Sequence, residues 1–80
     1  MTYDQAYALI IEALHKAVPG APLGGLQPET HLLKDGVIDS LDSMAFVYEL
    51  EKLCGRDIEE IGEDFSDFRV VRLTEILQRL

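Results

Sequence analysis

Apolar residues recur at helical spacing in three stretches of the chain. Tyr7, Ile10, Ile11, Leu14 and Val18 fall on one side of a helix predicted over about residues 3–18. Thr2 and Gln5 stand at the spacing of a capping box, in which each side chain satisfies an amide the helix leaves open. Pro19-Gly20 ends the run. Glu12, His15 and Lys16 lie off the stripe, so His15 reads as a solvated helix residue. A second helix is predicted over residues 40–54, opened by Asp39 or Ser40 as cap and closed by Gly55. On a wheel of 100° per residue, Phe46, Leu50 and Leu53 share its core face, with Val47 and Cys54 at the edge. The last helix runs over about residues 70–78, with Val70, Leu73, Ile76, Leu77 and Leu80 as its stripe.

Between these runs the pattern breaks. Pro19, Gly20, Pro22, Gly24, Gly25 and Pro28 exclude regular structure through residue 28. Leu23, Leu26, Leu32 and Leu33 are too apolar for a floppy linker and are expected to pack onto the helices. Thr30 can open a short turn reaching Lys34, and His31, without a ligand partner nearby, reads as a surface residue. Residues 56–67 are acidic and interrupted. Ile58 and Ile61 are expected to plug the core, with one helical turn near residues 63–68. Alternation of β-branched residues never persists for five positions, so no strand is expected. The reading is one all-α domain over residues 1–80: a four-helix bundle of three main helices and one short one, with a long connection between the first two.

One feature of the second helix exceeds what a surface helix needs. Leu41, Met44 and Tyr48 form an apolar group roughly opposite the core face. A helix packed on one side requires a single apolar stripe. The second group is either covered by the long loop or left open for a partner.

Composition narrows the setting. Eighty residues with 48% hydrophobic content support a small core, and a chain of this size buries roughly 60% of its unfolded surface. There is no apolar run long enough to span a membrane, and Met1-Thr2-Tyr3-Asp4 lacks the basic start of a secretory signal. A single cysteine, Cys54, forms no internal disulfide, and with only His15 and His31 it makes no zinc site. It reads as a small apolar residue near a helix end, in a protein of the reducing cytoplasm. The net charge is −8, and residues 29–67 hold twelve acids against three bases, a local net of −9. That disfavours nucleic acid and anionic membranes and suits a partner with a basic patch. The same crowding of acids leads us to expect that salt or divalent cations raise the melting temperature without any dedicated metal site.

The motifs of common enzymes are missing. There is no Gly-x-Ser-x-Gly elbow, no plausible triad histidine and no Gly-rich phosphate loop. Asp35-Gly36-Val37-Ile38-Asp39 looks like the middle of a calcium loop, but the register fails. With Gly36 at the sixth position, His31 and Leu33 occupy the first and third, where oxygen ligands are required, and Asp42 takes the place of the closing Glu.

The stretch Asp35-Gly36-Val37-Ile38-Asp39-Ser40-Leu41 resembles the attachment motif of the acyl and peptidyl carrier proteins. The resemblance extends over nearly the whole chain. It takes in Leu32-Leu33-Lys34 before the motif, the acidic second helix ending Leu53-Cys54-Gly55, the Asp57-Ile58-Glu59 segment, Phe65 and Phe68, and the final Leu/Ile helix. It implies an acyl-carrier-protein-like bundle, with 4′-phosphopantetheine from coenzyme A attached to Ser40 by a phosphopantetheinyl transferase. It implies a carrier and not an enzyme, acting as a monomer. The arm would carry acyl thioesters to acyl- or aminoacyl-activating and acyl-transferring enzymes with basic docking patches. By the same resemblance Asp39 helps place the serine and the transferase's metal, Leu41, Met44 and Tyr48 touch partners, and Asp42 and Glu51 are recognition acids. Ala45 and Lys52 stand where many fatty-acid carriers have Glu, which favours a dedicated partner set in polyketide-like or modified-lipid assembly. Two other readings stay open: an aminoacyl or peptidyl carrier, D-alanyl-type included, and an unmodified helical interaction module.

Overall fold

The computed structural model describes residues 1–80, and each helix boundary follows from how its end amides are satisfied. Helix α1 (Tyr3–Ala17) opens on a complete capping box: the Gln5 amide donates to Thr2 Oγ1 at 3.2 Å, and the Thr2 amide to Gln5 Oε1 at 2.8 Å. Helix α2 (Ser40–Cys54) opens on Asp39 and closes on Gly55, whose φ of 71° lies in the left-handed region that glycine reaches without strain. Helix α3 (Glu59–Gly62) is a single turn, and helix α4 (Val70–Gln78) completes an all-helical fold without strands.

The long connection is held down by the far end of the chain. Arg69, the residue before α4, provides no side-chain cap. The amides of Val70 and Val71 donate instead to the carbonyls of Thr30 and Pro28, at 3.0 and 2.9 Å. The helix start thus finds its acceptors in the loop. Leu32 N–H donates to the Phe68 carbonyl at 3.0 Å, and an isolated β-bridge joins His31 to Arg69. This pairing explains why the expected turn over residues 63–68 is absent. The backbone at Phe68 and Arg69 is committed to the loop, and the short helix forms earlier, at Glu59–Gly62.

Helix α1 packs on α2 and α4, and α3 touches α2 and α4. The core gathers Ile10 and Leu14 of α1, Phe46 and Leu50 of α2, Ile58 and Ile61, Phe68, and Leu73, Ile76 and Leu77 of α4. Phe46 meets Phe68 edge-on, with ring centroids 5.8 Å apart, a geometry the ring quadrupoles favour. Leu32 is fully buried, and Leu23, Leu26 and Leu33 pack against the core from the loop, as their apolarity required.

Four details depart from the sequence reading. Ala6 and Ala13 take core positions on α1, and the larger Tyr7, Ile11 and Val18 are only half-buried. On α2 the buried face is rotated toward Val47 and Ser43, leaving Leu53 half-buried. Leu80 lies beyond α4 and is exposed. His31 is buried, and backbone groups face both ring nitrogens: the Lys34 amide at Nδ1, and the Ser66 carbonyl and Phe68 amide at Nε2.

Candidate functional site

The approach to Ser40 is fixed by a tight turn. Asp35 Oδ2 accepts the His31 amide hydrogen at 2.9 Å, and the Asp35 amide donates to the His31 carbonyl at the same distance. Gly36 then turns the chain with φ of 76°, which a residue with a Cβ adopts only with strain. The Ile38 amide donates to the Leu32 carbonyl at 3.0 Å, and the Ile38 side chain is buried. Two residues later the chain emerges at Ser40.

Both Asp39 and Ser40 were candidates to cap α2. Asp39 does so: its Oδ1 accepts the Asp42 amide hydrogen at 2.8 Å, and Asp42 Oδ2 faces the Asp39 amide at 3.4 Å. Ser43 Oγ donates to the Asp39 carbonyl at 2.8 Å, which locks the first turn from the buried side. Ser40 is left as the first residue of the helix, exposed, with no capping duty. Its hydroxyl stands where the open amides of the helix start create partial positive charge. Asp39, the residue before it, and Asp42, in the same first turn, add negative charge there.

From Ser40 the helix presents the surplus apolar face to solvent. Leu41, Met44 and Tyr48 are 77%, 65% and 62% exposed, so the long loop covers none of them. Ala45 is exposed beside them. Lys52 closes the far end of the face: its Nζ lies 5.5 Å from the Tyr48 ring centroid and 3.9 Å from Glu49 Oε1.

Along the same helix runs an open groove of about 500 Å³. Its apolar walls are Met44, Val47 and Tyr48 on one side and Phe65 on the other. Glu51, Asp57, Glu59 and Glu63 also line it, with no basic residue among them. Glu51 is half-buried and already engaged, accepting the Ile58 amide hydrogen at 2.7 Å. It serves the junction of α2 and α3 as well as the acidic surface. Cys54 lies half-buried near the helix end, and burial pushes its thiol up from the usual range, as suits a packing residue.

Of the residues singled out from sequence, Asp39, Ser40, Leu41, Asp42, Met44, Tyr48 and Glu51 all lie on or next to one helix, α2. The groove wall from α3 and residues 63–65 has no signal in the sequence, since nothing local ties Phe65 or Glu59 to α2. Ser43 had a signal: a hydroxyl four residues after a helix cap can bond back to its carbonyl.

No family model, no curated protein and no solved structure matches the chain.

Proposed function

We propose that the chain is a carrier domain whose Ser40 is the attachment site of 4′-phosphopantetheine, in an acyl-carrier-protein-like bundle. The observation that carries this reading is the division of labour at the start of α2. Asp39 and Ser43 do the structural work, and Ser40 is exposed at the helix N-terminus with no part in it. Ser40 Oγ attacks the pantetheine-side phosphorus of the coenzyme A pyrophosphate, the P–O bond to the nucleotide breaks so that adenosine 3′,5′-bisphosphate leaves, and the hydroxyl proton goes to a base of a separate transferase, so the chain needs no base of its own. When bound, 4′-phosphopantetheine supplies a flexible arm ending in a thiol that carries the cargo as a thioester. Leu41, Met44 and Tyr48 dock partner enzymes beside the arm, with Asp39, Asp42 and the outer oxygen of Glu51 meeting basic groups. The chain acts as a monomeric cytoplasmic substrate of acyl-activating and acyl-transferring enzymes, and Ala45 and Lys52 select a partner set of a specialised pathway.

A second reading within the same chemistry concerns the cargo. The groove along α2 holds four acids and no base. An aminoacyl cargo, with its ammonium group, is compatible with such a lining, whereas a carboxylated one is repelled. Incubation with coenzyme A and a broad-specificity phosphopantetheinyl transferase tests the main proposal by a mass gain of one phosphopantetheine. Parallel loading of the product by acyl- and aminoacyl-activating enzymes separates the two cargo classes. A folded chain that gains no mass would leave the unmodified interaction module as the reading.

A further inference from the structure

Helix α2 carries its charges in a pattern that its apolar face alone does not explain. On the helical wheel Lys52 falls between Leu41 and Ala45, within the exposed stripe that also holds Met44 and Tyr48. Acids stand along both edges of that stripe. Asp42 and Glu49 follow one edge, and Glu51 follows the other, where the groove adds Asp57, Glu59 and Glu63. A cation therefore ends an apolar stripe whose two sides are acidic.

A cation near a helix C-terminus can serve only to complement the carbonyls at that end. Lys52 is placed otherwise. Its side chain is 60% exposed and turns back along the helix, with Nζ over the Tyr48 ring at 5.5 Å and 3.9 Å from Glu49 Oε1. Arg56, just past Gly55, is exposed and forms no ion pair. Lys52 and Arg56 line one open hollow of about 330 Å³ with Tyr48, Glu51, Gly55 and Asp57. Neither cation pairs with the two acids there, and Glu51 is engaged by the Ile58 amide. Both keep donors for a carboxylate from outside.

We propose that the exposed face of α2 docks an amphipathic helix of a partner protein whose apolar stripe has basic residues on both sides and ends in a carboxylate, seated between Lys52 and Arg56. The carboxylate then lies about 18 Å along the helix axis from Ser40, twelve residues away at 1.5 Å each. It fixes the direction in which the partner helix lies, because the reverse direction sets a basic end against Lys52 and Arg56. A second copy of this chain does not fit, since its own α2 would bring acids against these acids. This geometry rests on the docking role proposed above for α2. The unmodified chain carries it, so its failure is separate from a failure of Ser40 to take the arm.

The probe is a synthetic helical peptide of about 18 residues, long enough to hold a helix, with a Leu stripe, Arg on both sides and Glu at one end of the stripe. A second peptide of the same composition has that Glu exchanged with one flanking Arg, so the two differ in pattern and not in charge. Each is titrated into the isotope-labelled, unmodified protein, and amide shifts give the site and the affinity. A spin label beside the Glu end gives the direction. We expect shifts at Leu41, Met44 and Tyr48, broadening from the label at Lys52 and Arg56, and about fivefold tighter binding of the first peptide, the scale of an exposed ion pair. Lys52→Gln should bring the two peptides close to level, and Lys52→Glu should reverse their order. Failure of both peptides to bind the α2 face would overturn the proposal. So would equal affinities for the parent, a label that broadens the Ser40 end, or a preference that survives in Lys52→Glu.

Discussion

Glu51 Oε2 accepts the amide hydrogen of Ile58 at 2.7 Å, so one carboxylate of α2 supports the turn that becomes α3. Ile58 itself is buried and its N–H has no helical partner. Removing the acceptor leaves a buried donor unsatisfied, which costs about 1–3 kcal/mol. Glu51→Ala should therefore lower the unfolding free energy by about that amount in denaturant titration. Glu51→Gln keeps an oxygen in place and should cost clearly less. Equal losses in the two variants would mean that the acceptor is not what matters.

The cap of α2 gives a second prediction. Asp39 Oδ1 holds the Asp42 amide, and the loss of such a cap costs about 1 kcal/mol. Asp39→Ala should show this in thermal or chemical unfolding, and Ser40→Ala should be close to neutral, because Ser40 does none of the capping. A Ser40→Ala variant as destabilised as Asp39→Ala would return Ser40 to a structural role.

Two faces of α2 should respond in opposite ways. Phe46 is fully buried against Phe68, and Phe46→Ala should cost about 3–5 kcal/mol, a large share of the stability of so small a domain. Leu41→Ser and Met44→Ser remove only exposed side chains and should stay within about 0.5 kcal/mol of the parent. Under the carrier proposal these two variants slow loading by the cognate activating enzyme while leaving the fold intact. Unchanged loading kinetics in both would remove the docking role from this face.

Much of this was legible in the sequence because it is local. The Thr2–Gln5 box, the Asp39 cap and Gly55 operate within four residues of the helix ends they define, so the start of α1 and both ends of α2 follow from them, and α4 from its apolar stripe. The exposed triad Leu41, Met44 and Tyr48 was also visible, as apolar surplus on a helix that already had a core face. What escaped was non-local. His31 is buried by partners 35 and 37 residues away, and no spacing rule reaches that far. The same pairing withholds residues 66–69 from helix formation, and the short helix forms earlier, at Glu59–Gly62. Ala6 and Ala13 displaced larger residues from the core because close helix approach rewards small side chains, a choice set by the neighbours and not by the period.

Asp67 supplies a pH dependence. The Arg69 guanidinium hydrogen bonds it and holds its carboxyl down at about 2, below the ordinary aspartate value. A carboxyl depressed in the folded state stabilises fully above its unfolded value, near about pH 4, and that contribution fades as pH falls toward about 2. Asp67→Asn should therefore flatten the fall of melting temperature in that acid window and leave its course above about pH 5 parallel to the parent. An identical acid profile in the two proteins would contradict the pairing.

The central claim is that Ser40 is where the chain is modified, and the site can be read directly. The parent, Ser40→Ala and Ser43→Ala are incubated with coenzyme A and a broad-specificity transferase, and intact mass is followed by peptide mapping. The account predicts one phosphopantetheine on the parent and on Ser43→Ala, placed on the peptide containing Ser40, and none on a folded Ser40→Ala. An unmodified parent, or a Ser40→Ala protein that still gains the group, would contradict it.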